Sequence, residues 1–262
     1  MSMSRARATI PGAVKVVAAV AVAVVALPLV ALMFRAPWSD IGRLGAVGPR
    51  TALLVSLEVS LAAAALAFLL GMPVALALAR SNFPGRAVVR SLALLPLVLP
   101  PVVAGVGLLA AFGRHGLLGR ALAAIGIRLP FTTAGAILAS AFVATPLLIL
   151  TVEAGVRALD IRQEEAAETL GASPWYVLRR VTLPALRPQI VAGLVVAWAR
   201  ALGEFGATIT FAGNFRGRTQ TLPLAVFEAL QTDPGAAILM SLLLVAVSLA
   251  ALVALRGRFL SR

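Results

Sequence analysis

Residues 13–34 read A-V-K-V-V-A-A-V-A-V-A-V-V-A-L-P-L-V-A-L-M-F, and from Val16 to Phe34 no side chain is polar. A helix needs about 20 apolar residues to cross the roughly 30 Å hydrocarbon core of a bilayer, so this run is long enough to cross. It also exceeds the roughly 7–15 apolar residues of a cleaved signal peptide's core, and reads as a retained first helix. Further runs lie at 51–79 (interrupted by Glu58), 91–112, 133–156, 189–212 and 236–255. Six spans put both ends of the chain on one side. The composition agrees: 61% of the 262 residues are hydrophobic and 13% charged, against roughly 45–50% and about 25% in soluble domains. The expected fold class is all-α, integral to the membrane, with six transmembrane helices.

The residues that are missing exclude several kinds of chemistry. With no cysteine and one histidine, His115, a Cys/His metal site cannot be assembled and thiol chemistry is ruled out. The single lysine, Lys15, follows Val14 rather than glycine. A Walker A loop needs Gly-Lys-Ser/Thr around the nucleotide phosphates. No cofactor is expected in this chain, and any ATP and Mg must be bound by partner ATPase subunits.

The net charge of +13 invites a nucleic-acid reading. That footprint clusters arginine on one soluble module, whereas here the basic residues fall in short groups between apolar runs, so membrane topology is the better explanation. Cytoplasmic loops collect Lys and Arg. With the N-terminus inside, 14 basic residues are cytoplasmic: Arg5, Arg7, Lys15, Arg80, Arg86, Arg90, Arg157, Arg162, Arg179, Arg180, Arg187, Arg256, Arg258 and Arg262. Eight are outside: Arg35, Arg43, Arg50, Arg114, Arg120, Arg128, Arg216 and Arg218. The bias places both termini in the cytoplasm.

One cytoplasmic connection, at 157–188, is unusually long and structured. Residues 161–170 (I-R-Q-E-E-A-A-E-T-L) are mostly helix formers. Gly171 stands where a glycine ends a helix, and Ser173-Pro174 starts a second one with an N-cap followed by proline. Pro184 and Pro188 are expected to stop that second helix and turn the chain into the fifth span. The small residues Ala166, Ala167 and Gly171 let a partner approach the backbone closely, and Glu165 offers a charge beside them, as in a docking knob.

The same stretch resembles the signature loop of permease subunits of ABC importers. In that pattern Glu-Ala-Ala is followed by three residues, Gly, nine residues, a β-branched residue, any residue and Leu-Pro. The corresponding residues here are Glu165-Ala166-Ala167, Gly171, Val181 and Leu183-Pro184. The resemblance implies an ATPase-coupling loop carried by Glu165, Ala166, Ala167, Gly171, Leu183 and Pro184. It divides the chain into an N-terminal segment, first helix and outer loop (1–50), a permease core (51–255) and a short cytoplasmic tail (256–262). The implied partners are an ABC ATPase pair, an extracytoplasmic oxyanion-binding protein, a second copy of this chain and membrane lipids, with no nucleic acid. The location is a bacterial or archaeal inner membrane.

A second block, A-R-A-L-G-E-F-G-A-T over 199–208, followed by Gly213-Asn214 and Thr221-Leu222-Pro223-Leu224, resembles the molybdate branch of these importers. Molybdate is the favoured cargo, and sulfate and tungstate stay open. In physical terms, Arg200 and Glu204 share one helix face and can pair. A charge at membrane depth costs about 2.5–3.5 kcal/mol on insertion scales, so this face turns inward, either as a structural ion pair or as a lining of the path. Arg200, Gly203, Glu204, Gly206 and Thr208 are the candidate path or gate, with Gly203 and Gly206 permitting tight helix crossing. Glu58 and Glu153 are two further intramembrane acids that can pair with a nearby arginine or reach the interface. Pro96, Pro100 and Pro101 break the third span, and Pro146 lies in the fourth.

Two other classes fit poorly. An intramembrane enzyme needs a metal-binding His cluster, an acidic pair or a Ser/His or Ser/Lys arrangement, and the lone His115 and Lys15 supply none. A stand-alone secondary transporter is expected to show two comparable halves, and no convincing repeat is visible.

Overall fold

The computed structural model describes residues 11–43 and 48–259. Arg5, Arg7 and Arg262, counted above for orientation, lie outside the described residues. In chain order the helices are α1 (Gly12–Arg35), α2 (Pro49–Arg80), α3 (Arg86–Val98), α4 (Pro101–Phe112), α5 (Gly119–Ala124), α6 (Thr133–Ala158), α7 (Arg162–Thr169), α8 (Pro174–Ala185), α9 (Arg187–Leu202), α10 (Gly206–Ala212), α11 (Leu222–Thr232) and α12 (Pro234–Phe259). There is no sheet among the described residues.

Four helices, α1, α2, α6 and α12, are long and apolar enough to cross a bilayer, and two bent pairs, α3 with α4 and α8 with α9, raise the number to as many as six. The bends fall where the prolines stand, and a further break was not expected. The third run is broken as its prolines suggested: α3 ends at Val98 and α4 leaves at 120° after Leu99-Pro100. Pro100 has no N–H to continue a helix, and Pro101 sits in the first turn of α4, where that loss is harmless. The fifth run is also interrupted, because α9 stops at Leu202 and α10 begins at Gly206. Between α8 and α9 the chain turns 68° at Leu186. Pro184 stands one residue before the end of α8 and Pro188 in the first turn of α9, so the second helix ends and the chain turns where these prolines led the sequence reading to expect it.

The core is a three-helix contact of α2, α6 and α9, centred on Ala63, Ala67, Ala75, Leu78, Ala144, Leu148, Val152 and Ala197. Alanine and glycine dominate because membrane helices gain by close backbone approach, not by leaving water. A Cβ at Gly71 would stand 3.0 Å from Leu148 Cδ2, and one at Gly155 only 2.5 Å from Gln189 Cγ. In contrast, none of the apolar window of α1 is buried, so this helix lies beside the bundle, touching α12.

The C-terminal ends of α2 and α6 lie together, since the Arg157 guanidinium donates to the Leu78 carbonyl at 3.4 Å. Both helices therefore point the same way. The 26 residues of α6 are about 39 Å long at 1.5 Å per residue. That length separates a loop end, carrying residues 159–186, from a far end carrying 113–132 and 213–221.

Candidate functional site

At the loop end the chain folds as its local signals direct. Helix α7 closes at Leu170, and Gly171 takes φ +83°, a conformation in which a Cβ costs about 1–2 kcal/mol. Space is not the reason for glycine here, since nothing lies within 4 Å of a Cβ at this position. Ser173 caps α8, its hydroxyl accepting from the Tyr176 N–H at 3.3 Å. Glu165, Ala166 and Gly171 are exposed, while Ala167, Leu183 and Pro184 are half-buried. Around them stand Leu170 (89% exposed), Trp175 and Tyr176, with the Arg179 guanidinium 5.5 Å from the Trp175 ring. Ala167, Leu170, Gly171, Ala172, Ser173 and Tyr176 line a shallow depression of about 520 Å³.

Helix α7 is tied to the membrane bundle through Glu164, a residue that sequence reasoning passed over in favour of Glu165. One Glu164 carboxylate oxygen accepts from Arg80 at 3.0 Å and from the Thr182 hydroxyl at 2.7 Å, and the other lies 2.9 Å from the same guanidinium. Arg80 ends α2 and Thr182 lies in α8, so one carboxylate joins three elements. The available signal was its place one residue before the Glu-Ala-Ala triplet. Nearby, Glu153 is 2% exposed and paired with Arg157 at 2.7 Å, with Arg90 at 3.5 Å from its other oxygen. Glu58 is exposed on α2.

The two interrupted spans meet in the middle of the molecule. A Cβ at Gly206 would lie 2.6 Å from Pro101 Cβ, and one at Gly105 would lie 2.6 Å from Thr210 Cβ, so α4 and α10 run side by side in near contact from their first residues. A Cβ at Gly203 would meet only the Ala199 carbonyl oxygen, at 3.8 Å; this glycine marks the break and makes no tight crossing. Glu204 is 2% exposed. It pairs with Arg200 at 2.6 Å and accepts from the Ala207 N–H at 2.8 Å, satisfying one of the orphan donors at the start of α10. Arg200 is less buried, with 30% of its side chain exposed. Thr208 is buried, its hydroxyl 3.5 Å from that of Ser140.

At the far end a second glutamate gathers a loop. Glu228 of α11 accepts from Arg216 at 2.7 Å, Asn214 at 3.0 Å and Gln220 at 2.6 Å. The Arg216 guanidinium bonded to it, helped by its charge and by Asn214 and Gln220, holds the carboxyl below its ordinary value against the opposing effect of burial. This gives the Gly213-Asn214 pair a structural purpose. Gly213 turns the chain at φ +74° and Asn214 pins it to α11. Glu228 lies 14 residues beyond Asn214, and nothing in the local pattern marked it as the anchor.

The family model described as "Binding-protein-dependent transport system inner membrane component" matches residues 67–261, which takes in α4, the loop-end helices, both breaks and α12. The chain belongs to this family. It is a permease component of an ABC importer, a multi-pass protein of the bacterial inner membrane that works with a binding protein and ATPase partners and holds no ATPase site of its own. Among its relatives, the molybdenum transport system permease protein ModB of Mycobacterium tuberculosis is 51% identical over 227 residues, covering 86% of this chain and 85% of the relative. ModB of Escherichia coli is 42% identical, covering 80% and 93%. The sulfate transport system permease protein CysW of Synechococcus elongatus is 42% identical, covering 62% and 56%. The permease also has the fold of a bacterial ABC transporter that imports the acidic polysaccharide alginate, with TM-score 0.65 at 20% identity over 86% of this chain and 85% of that one.

Proposed function

We propose that this permease moves molybdate inward as a homodimer, with both termini in the cytoplasm and the loop end docked on the ATPase pair. The observation that carries the docking role is the exposed knob of Leu170, Trp175, Tyr176 and Gly171, held to α2 by the Glu164–Arg80 pair. Exposed aromatic and aliphatic side chains around a depression suit burial by a partner. In this reading Glu165, Ala166, Ala167 and Gly171 meet the ATPase, and Leu183-Pro184 sets the angle at which α8 passes the movement to α9.

The path is formed where α9 breaks. Arg200 and Gly203 are the accessible members of the candidate set and face it, while Glu204, Gly206 and Thr208 hold the break in shape from behind. A buried Glu204 already bound to Arg200 and the Ala207 N–H suits support of the gate. It does not suit direct contact with a dianion, which a carboxylate repels. The cargo reading rests on the ModB relatives and on the 199–224 block. Sulfate is the second reading, favoured by CysW.

Uptake of radiolabelled molybdate, tungstate and sulfate by vesicles holding the complex and its binding protein tests both readings. Molybdate transport that survives a large excess of sulfate is expected. Transport abolished by equimolar sulfate sinks the molybdate assignment, and full uptake by Gly171→Val sinks the docking role.

A further inference from the structure

Three of the far-end arginines, Arg114, Arg120 and Arg128, fall within one 15-residue stretch, and no acid occurs anywhere between Glu58 and Glu153. Topology does not account for them, because they lie against the bias that orients the chain. Arg216 answers to Glu228. Among the described residues, no acid meets Arg114 or Arg128.

Those two arginines share a pocket of about 500 Å³ whose remaining lining is Leu109, Phe112, Ile127, Phe131 and neighbouring small residues. The pocket is built on a rigid frame. After α4 the chain doubles back, with the Leu117 N–H donating to the Ala110 carbonyl at 3.0 Å and that of Leu118 to Ala111 at 2.8 Å. A Cβ at Gly116 would stand 2.5 Å from the Ala110 carbonyl oxygen, and Gly119 rests directly on the Gly113 carbonyl. The same segment turns large apolar side chains outward: Leu117 is 90% exposed, Ile125 70% and Leu118 51%. It follows α4 and leads into α6, so it sits where a spanning helix meets the membrane surface.

We propose that this pocket seats an anionic phospholipid of the outer leaflet, its phosphate between Arg114 and Arg128 and its apolar part on Leu109, Phe112 and Ile127, while Leu117, Leu118 and Ile125 enter the bilayer beside it. Guanidinium groups pair well with phosphate oxygens. Apolar walls favour a phosphate that carries acyl chains over a free anion, and exposed leucines beside arginines at a membrane surface match an interfacial anchor. An acidic docking protein is the less suitable occupant, because it leaves the apolar wall and Leu117 uncovered. The leaflet rests on the orientation proposed above; the site itself does not.

The test uses the intact permease–ATPase complex, delipidated in detergent and titrated with dioleoyl phosphatidylglycerol or dioleoyl phosphatidylcholine, with bound lipid counted by native mass spectrometry. Phosphatidylglycerol is expected to bind more tightly than phosphatidylcholine. The preference should fall about fivefold for each of Arg114→Gln and Arg128→Gln and hold in Arg120→Gln, whose side chain does not line the pocket. Should the glutamine variants fail to assemble, Arg114→Lys with Arg128→Lys is expected to retain the preference. Unchanged preference in the double glutamine variant overturns the proposal. Displacement of the lipid by inorganic phosphate alone makes it a free-anion site, which also overturns it. So does a double variant that keeps its lipid and loses affinity for the binding protein. Molybdate uptake measured alongside keeps a failed cargo assignment distinct from a failed lipid site.

Discussion

Glu164 and Glu228 each hold a loop at one end of the bundle, but they reach different distances. Glu164 binds Arg80, 84 residues earlier, and Thr182, 18 residues later, so it joins α7 to a spanning helix and to α8. Glu228 takes all three of its partners from 8 to 14 residues upstream, within one loop and its own helix. The first arrangement transmits a displacement between elements, and the second only fixes the shape of one. Under the docking role proposed above, the loop end needs the first. At the far end a set surface is enough.

The contrast breaks most sharply at Gly171. A β-branched residue at φ +83° stores about 1–3 kcal/mol of strain, so Gly171→Val should reshape the knob and lower molybdate uptake about tenfold or more. Binding-protein affinity, read at the other end of the bundle, should be unchanged. Next in size, Glu164→Gln keeps the shape and removes the charge that Arg80 meets. Transport per ATP hydrolysed should fall several-fold while hydrolysis continues. Adding Arg80→Gln should cost little more, because residues in direct contact couple by about 0.5–3 kcal/mol.

Between the two ends, Glu204→Ala removes the Arg200 partner and leaves the buried Ala207 N–H without its acceptor. The cost is about 1–3 kcal/mol, visible as a lower Tm of the purified complex. The smallest effect belongs to Glu228→Gln, since partly exposed pairs contribute about 0.2–1 kcal/mol. Its pH dependence has a definite sign. A carboxyl with a lowered folded pKa adds stability that is fully present above its ordinary value of 4.5 and is lost as the pH falls through the lowered one. Protection of the 213–221 amides from hydrogen exchange should therefore persist to a lower pH in the wild type than an unperturbed carboxylate would allow, and the glutamine variant should lack that dependence.

Local chemistry was legible in the sequence, and long-range partners were not. Helix α7, its glycine stop and the Ser173 cap follow from residues a few positions apart, as do the ends of α1, α2, α6 and α12 to within a few residues. The breaks were half visible: Pro100 announced one, but Gly203 to Phe205 carry no proline, and the end of α9 depends on Glu204 capping α10 from within the membrane. Glu164 and Glu228 were hidden for a different reason. What distinguishes each from the acids beside it is a set of partners brought close by folding, which no local spacing records. Glu153 shows the middle case: its partner Arg157 stands four residues on but was not named from the sequence, and Arg90 is brought to it only by the fold.

In the proposed arrangement the loop end, and not the far end, meets the ATPase. Because the chain has no cysteine, a single engineered one can carry a photoreactive benzophenone maleimide at a known place. Leu170→Cys and Arg218→Cys, labelled separately in the assembled complex and irradiated, compare the two ends directly. A cross-link to the ATPase subunit from position 170 and none from 218 is the predicted result. A cross-link from 218, or none from 170 in a complex that still hydrolyses ATP, would rule out docking at the loop end.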